Sequence, residues 1–143
     1  MANLNTIEVQ IKTGPEDPDR DVRIFLGFKI NNVAVPGHVR SREFRLRQGA
    51  DANPFRSGTT KRLVFGGPGA NVENKPLNDP TNPQLLDNNI IGAYIRISPE
   101  SKQSWRILGG PGNTFVKLNG GTQTFTLGAD ITLQEDSGEQ VDL

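Results

Sequence analysis

The 143-residue chain has no cysteine, and its only histidine is His38. Disulfide bonds and thiolate metal sites are therefore excluded, and no cluster of histidines can bind a metal ion. No stretch approaches the roughly 18 consecutive apolar residues that a membrane-spanning helix needs. The first residues also lack the basic and apolar regions of a secretory signal. These absences do not decide between a cytoplasmic protein and a secreted, processed one.

The sequence motifs of common enzymes are missing as well. No serine lies in a G-x-S-x-G elbow, and a Ser–His–Asp triad would have to use His38. The glycine-rich segments lack the Lys-Ser/Thr pair of a phosphate-binding loop. Two carboxylates could hydrolyse a glycoside, but the sequence brings no particular pair together. We therefore expect a protein that binds without catalysis, with a hydrolase as the alternative.

Alternation of apolar and polar residues dominates the chain and predicts β-strands. The longest examples cover residues 7–11, 22–30 and 91–97. Shorter strands are expected at six further places: 44–47, 63–65, 104–108, 114–118, 122–127 and 130–134. Sixteen glycines and ten prolines supply the turns between them. The pattern predicts an all-β sandwich or barrel of eight or nine short strands in one domain over residues 1–143.

Three segments have a different character. Asn119-Gly120-Gly121, between two strands, predicts a hairpin turn. Residues 66–89 hold four prolines and six asparagines, which is typical of a long surface loop, and within them 83–87 is the best candidate for one or two helical turns. Residues 135–143 are rich in acidic side chains and predict a flexible tail.

The formal net charge is zero, but the charges are unevenly distributed. Residues 20–62 hold ten Lys/Arg and three Asp/Glu, whereas both ends of the chain are acidic. If the fold keeps these blocks apart, the basic block can steer an anionic partner; if strands interleave, the charges neutralise each other on the surface. A pI near 6.6 and few aromatic residues do not favour nucleic acid as a partner.

Four arginines near the middle of the chain are candidate ligands for an anion: Arg42, Arg45, Arg47 and Arg56. A guanidinium fork donates two parallel hydrogen bonds to a phosphate or sulfate group. An acidic phospholipid headgroup or a sulfated sugar would therefore suit them. The alternative is a strand face that is kept charged to discourage edge pairing.

Apolar residues inside polar loops are candidates for contact with a membrane or a partner protein. There are three of them: Phe55, Leu85 and Leu86. Phe55 could instead fill the core, where we also expect Trp105, because Trp105 begins a strand with Ile107 on the same face.

Three stretches of the chain occur in an order that resembles that of a known domain family. Thr13-Gly14 is followed by acidic residues in a loop and by an apolar strand at 22–27. Residues 42–47 form a strand before a loop at 51–58 that contains a Phe-x-Arg-Gly-like element. Residues 95–97 end a strand that precedes Trp105. Together these stretches, over roughly residues 6–108, resemble the PLAT domain, a module of polycystins, lipoxygenases and alpha-toxins.

This resemblance implies an eight-stranded antiparallel β-sandwich that docks onto membrane lipid headgroups or a partner protein. In many members calcium bound in the loops at one end assists docking, so the resemblance implies Ca²⁺ as a ligand. The positions that match those loops are Asp19, Asp21, Asp51 and Asn53. Aspartates that cap turns through the neighbouring backbone are the alternative.

Two other functions are left open. A structural or toxin component could form homo-oligomers through its sheet edges and the 66–89 loop. A carbohydrate-binding sandwich would need exposed aromatic side chains on one sheet face, and the chain has seven Phe, one Tyr and one Trp in total. The sequence does not give the oligomeric state.

Overall fold

The computed structural model describes residues 3–17, 23–31, 38–47, 55–98, 104–134 and 139–143. The alternation seen in the sequence becomes alternation of burial. In β1 (Ile7–Lys12), the side chains of Ile7, Val9 and Ile11 are buried, and the polar residues between them are half-buried. Because successive side chains of a strand point to opposite faces, each long strand offers one apolar face to the core.

The first layer contains four strand positions, all antiparallel. β1 lies between β5 (Thr60–Phe65) and β8 (Phe115–Leu118), and β9 (Gln123–Thr126) forms the edge beyond β8. Past Lys12, the chain of β1 pairs with β7 (Ser104–Ile107), and β10 (Ile131–Gln134) pairs with β7. β7 and β8 thus follow one line along β1, while β9 and β10 follow the next.

The second layer also contains four positions. β6 (Ile90–Ile97) lies between β11 (Gln140–Asp142) and β2 (Ile24–Asn31). The far edge of β2 pairs with two short strands, β3 (His38–Arg40) and β4 (Phe44–Arg45). The two layers form the expected all-β antiparallel β-sandwich, in which the eleven strands of the described ranges share eight positions, and the fold class is confirmed. In the described ranges, no helix is long and apolar enough to cross a membrane.

The core lies between the layers and is rich in aromatic rings. Phe44 packs edge-on against Phe28 on one side and Phe65 on the other, with ring centroids 6.2 and 5.5 Å apart. Trp105 is fully buried, as expected, and its Nε1–H donates to the hydroxyl of Thr13 at 3.2 Å. Burial of each such ring contributes roughly 1.5–3 kcal/mol.

Residues 66–89, which we call the insertion, hydrogen-bond to the edge of each layer on one side of the sandwich. On β5, Asn71 Oδ1 accepts from Val64 N–H at 2.8 Å, and the Asn71 amide group donates to the carbonyl of Arg62 at 3.1 Å. On β4, Asn78 Oδ1 accepts from Arg45 N–H at 3.1 Å. The insertion thereby caps two strand edges that would otherwise be open to pairing.

Two predictions about these segments are wrong. Residues 83–86 are not helical: Leu85 N–H donates to the carbonyl of Pro80, and the Leu85 carbonyl accepts from Leu4 N–H. A short 3-10 helix follows instead at Asp87–Asn89. The tail expected at 135–143 is, over its last five residues, part of the second layer: β11 pairs with β6, and Leu143 packs against the core. Residues 135–138 lie outside the described part.

The predicted hairpin between β8 and β9 is present. Residues 119–122 connect Leu118 to its strand partner Gln123. Gly121 N–H donates to the carbonyl of Leu118, and the two residues between them, Asn119 and Gly120, have φ values of +48° and +73°, the positive values that a type I′ turn requires at both central positions.

Candidate functional site

The outer face of the second layer carries several arginines, three of them from the basic block at 20–62. Strand register places Phe25 opposite both Arg96 and Arg45, and Lys29 opposite Arg40. These side chains alternate with the core residues of β2 and β6, so they face away from the core. We call the group formed by Arg40, Arg42, Arg45 and Arg96 the arginine face.

Tyr94 occupies the centre of this face. It stands opposite Gly27 in the strand pair β2–β6, and its ring lies directly across that glycine. Its side chain is fully buried although it points away from the core. The hydroxyl donates a hydrogen bond to Glu43 Oε2 at 2.9 Å.

Glu43 joins Tyr94 to Arg96. Arg96 Nε donates to Glu43 Oε2 at 2.9 Å, and Arg96 Nη2 donates to Oε1 at 2.7 Å. The hydrogen bond from Arg96 is the main reason that the pKa of Glu43 is lowered, and the same bond raises the pKa of Arg96. Burial, followed by the hydrogen bond to Glu43, raises the pKa of Tyr94 to about 12. All three groups thus keep their neutral-pH protonation states.

Three guanidinium groups of the face lie on aromatic rings. The Cζ atom of Arg40 is 5.0 Å from the centroid of Tyr94, that of Arg96 is 4.6 Å from Phe25, and that of Arg42 is 5.1 Å from Phe44. Such stacking restricts the orientation of a guanidinium group before any ligand arrives.

Arg42 also ties the insertion to this face. Its Nη1 donates to the carbonyl of Pro83 at 2.7 Å, and its Nη2 donates to the carbonyl of Asp79. Partial burial is the main cause of its lowered pKa. Because both terminal nitrogens already donate to backbone carbonyls, Arg42 chiefly holds the insertion in place.

Two cations of the face take part in no ion pair within the described ranges. Lys29 pairs with Asp142 at 2.8 Å, and Arg96 pairs with Glu43. No ion pair to Arg40 or Arg45 is formed among the described residues. Arg40 borders an open depression that Arg42, Arg96, Glu43 and Tyr94 also line.

An exposed apolar side chain adjoins the arginine face. Leu77, in the insertion, is 71% exposed. It lines a smaller hollow together with Phe25, Glu43 and Arg45. Since Glu43 borders both hollows, the exposed leucine and the arginine-lined depression form one continuous surface.

Only two of the four predicted anion ligands belong to this surface. Arg42 and Arg45 do, but Arg47 Nε lies 2.6 Å from Glu73 Oε2 in an ion pair. Arg56 sits in a turn beside Thr13 and Gly14, at an end of the first layer. Arg40 belongs to the same group of arginines in the sequence but was not among the four predicted ligands, and Arg96 was missed. Arg96 alternates outward in its strand, but nothing in the sequence showed that β6 would pair with β2.

Of the predicted apolar contact residues, one is fully buried and two are half-buried. Phe55 is fully buried, and its ring centroid lies 5.3 Å from that of Trp105, so the core alternative holds and the membrane role does not. Leu85 is partly buried and packs against the core. Leu86 is half-buried and forms a bridge with Asn3. The backbone of both leucines pairs with the N-terminal segment. This long-range contact could not be predicted from the sequence.

The predicted calcium ligands Asp19, Asp21, Asp51 and Asn53 lie outside the described residues. The described parts of the two loops do meet: Asp17 Oδ2 accepts from Ser57 N–H at 3.0 Å. Calcium takes six to eight oxygen ligands, and no group of three or more His, Asp or Glu side chains suited to a metal occurs in the described part of the chain. The described residues therefore do not form a calcium shell by themselves.

The fold can be compared with known structures. Over 93% of this chain, it superposes on an alpha toxin from Clostridium absonum with a TM-score of 0.50 and 18% sequence identity. The fold is a PLAT-like β-sandwich. The chain covers 32% of the toxin chain. No protein-family model and no curated protein matches the sequence.

The PLAT-like sandwich thus confirms the resemblance drawn from loops and strands. At 18% identity the similarity establishes the fold, and function has to be argued from the surface.

Proposed function

We propose that this chain is a non-catalytic docking module whose arginine face binds the anionic headgroups of a lipid membrane. One observation carries the proposal: the exposed side chain of Leu77 shares a hollow with Arg45, and Arg40 borders the adjoining depression. Neither arginine forms an ion pair in the described ranges. An apolar side chain beside unpaired cations suits a surface with phosphates outside and hydrocarbon beneath.

The geometry of the face favours such a surface over a deep-binding ligand. The depression is open, and strands whose backbones are fixed in the sheet present its arginines. Arg40 rests on Tyr94, which is fixed in turn by Glu43. Little conformational entropy is lost when guanidinium groups held in this way bind phosphate. The similarity to a toxin is compatible with action at a membrane but identifies no target.

Carbohydrate binding is less well supported. Sugar-binding sheets stack exposed aromatic rings against the ligand, and here six of the nine rings are buried: Phe28, Phe44, Phe55, Phe65, Tyr94 and Trp105. Phe25 on the arginine face is half-buried and lies beneath Arg96. A partner protein with an acidic surface remains the second candidate, because the same unpaired arginines suit carboxylates.

Vesicle sedimentation tests the proposal. We expect the chain to sediment with vesicles that contain phosphatidylserine and not with phosphatidylcholine alone, and the bound fraction should fall as salt rises. The double variant Arg40→Gln with Arg45→Gln should weaken binding about tenfold or more, since each cation near an anionic surface contributes about 1 kcal/mol. Leu77→Ala should weaken it further.

A charge-matched control is available on the other layer. Arg62 and Lys117 both lie beside Glu8 on the outer face of the first layer. Replacing both by glutamine also removes two positive charges, and it should leave vesicle binding nearly unchanged. Equal losses in both double variants would overturn the role of the arginine face. Failure to sediment with any vesicle, with or without calcium, would overturn the membrane proposal and favour the protein partner.

Calcium assistance is a separate part of the proposal and rests on Asp19, Asp21, Asp51 and Asn53. Its support is the contact between Asp17 and Ser57, which brings the described ends of the two loops together. Calcium should raise the melting temperature of the native chain, and the rise should disappear in the double variant Asp19→Ala with Asp21→Ala. An equal rise in both proteins would show that these residues are not ligands.

A further inference from the structure

The two edge strands of the first layer, β5 and β9, differ in whether other residues hydrogen-bond to their outward backbone groups. The β5 edge is capped by Asn71, which donates its backbone N–H to the carbonyl of Val64 in addition to its side-chain bonds. On the opposite side of the layer, at the β9 edge, no described residue caps Thr124 or Thr126 in this way. An uncapped edge presents backbone donors and acceptors to other chains.

Hydrogen-bond directions show which groups of β9 are open. Leu127 N–H donates to the carbonyl of Thr114. In an antiparallel pair every second residue directs its backbone N–H and C=O toward the partner strand, so in this register Phe125, like Leu127, bonds to β8. Thr124 and Thr126 therefore direct their N–H and C=O groups away from β8. In the described part of the chain no partner reaches these four groups.

Nothing in the sequence of this edge opposes pairing. Between Lys117 and Asp130 there is no charged residue and no proline, the two devices that most often protect an edge strand. Thr124 and Thr126 are exposed, and Phe125 between them is only partly buried against the core. Threonine and phenylalanine are also favourable strand residues.

We infer that β9 pairs antiparallel with β9 of a second copy, about a two-fold axis at Phe125. In this register Thr124 of one copy faces Thr126 of the other, and each pair exchanges two backbone hydrogen bonds. The four open groups of each copy are then satisfied by the same groups of its partner, which is the self-complementarity that a two-fold interface requires. The half-exposed Phe125 rings meet across the axis on the core side.

The first layers of the two copies would then form one continuous sheet, and the arginine faces would stay uncovered because they belong to the second layer. The pairing is independent of the proposed membrane function. A four-residue strand buries less than the roughly 1,000 Å² of a stable interface, so a weak, concentration-dependent dimer is expected.

Sedimentation velocity on the full chain, from micromolar to near-millimolar concentration, tests this inference. The wild type should shift toward a dimer as concentration rises. Thr124→Lys with Thr126→Lys places lysines opposite each other twice in the dimer and should raise the dissociation constant about tenfold or more. Thr124→Lys with Thr126→Glu places a lysine opposite a glutamate twice and should restore dimerisation.

The charge-swapped variant is the decisive control, since it changes the same exposed positions. Intrinsic fluorescence of the single tryptophan, Trp105, should show that both variants are folded. A wild type that stays monomeric over the whole range would overturn the inference. So would a Lys/Glu variant as monomeric as the Lys/Lys variant, because that result requires a different register or a different partner strand.

Discussion

The ring of Tyr94 lies across Gly27, so closely that a Cβ atom on Gly27 would come within 2.2 Å of both the Cζ atom and the hydroxyl oxygen of Tyr94. Gly27→Ala should therefore displace the tyrosine from Glu43 and disturb the arginine face. We expect a loss of about 1–3 kcal/mol in the free energy of unfolding, measured by urea denaturation, as for other overpacked sites.

Gly92 provides a matched control for that substitution. It lies on the same outer face, and a Cβ there would approach only the flexible side chain of Lys29, at 3.4 Å. Gly92→Ala should change stability by less than Gly27→Ala. If the two variants are equally stable, the ring of Tyr94 is not held against Gly27.

The alkaline titration of the protein should report on Tyr94 directly, because it is the only tyrosine. Its pKa is raised to about 12 in the folded state, so the tyrosinate absorbance should appear near that pH in native protein and near pH 10 in urea. The raised pKa contributes stability that is fully present below pH 10 and is lost as the pH rises toward 12.

The variant Glu43→Gln separates the causes of this shift. Burial is the larger cause and Glu43 the next, so the pKa of Tyr94 in the variant should fall but stay above its value in urea. A native pKa equal to that in urea would contradict both the burial and the hydrogen bond.

Glu43 should give the opposite dependence in acid. Its pKa is lowered in the folded state, chiefly by the hydrogen bonds from Arg96. The stabilisation is therefore present above the carboxyl's ordinary pKa and is lost as the pH falls through the folded-state value. Glu43→Gln should be destabilised by about 1–3 kcal/mol at neutral pH, and its difference from wild type should shrink in acid. A difference independent of pH would show that the carboxylate charge is not involved.

The variant Phe55→Ala distinguishes a core residue from a membrane contact. Phe55 is fully buried against Trp105, so its truncation should cost about 3–5 kcal/mol of stability. The emission of Trp105 should change with it. Leu77→Ala, at an exposed position, should leave stability nearly unchanged. If Phe55→Ala weakened vesicle binding while stability stayed at the wild-type value, the buried placement would be contradicted.

Strand positions could be predicted from the sequence because burial on one face leaves a period of two. The strands at Ile7–Lys12, Ile24–Asn31 and Ile90–Ile97 appear where the alternation places them. Two three-residue strands, His38–Arg40 and Gln140–Asp142, were not predicted. Three residues are too few to show a period, and such strands form because a neighbouring strand offers hydrogen bonds.

The candidate site was harder to predict because it depends on pairing between distant strands. Arg42 and Arg45 could be predicted as anion ligands because they are neighbours in a basic block. Arg96 joins them only through the pairing of β6 with β2. The sequence also gave no reason to prefer Leu77 over Leu85 and Leu86. All three are leucines in the same polar segment, and only the contacts of Leu85 and Leu86 with the N-terminal residues separate them.

The asparagines of the insertion also affect how the sandwich moves. Asn71 and Asn78 hydrogen-bond to the edge strands of both layers on one side of the sandwich. On the opposite side, β9 and β11 are the edge strands. Local opening should therefore begin at β9 and β11, where amide hydrogen exchange should be fastest. Water should reach Val141 before it reaches Leu63 or Phe44.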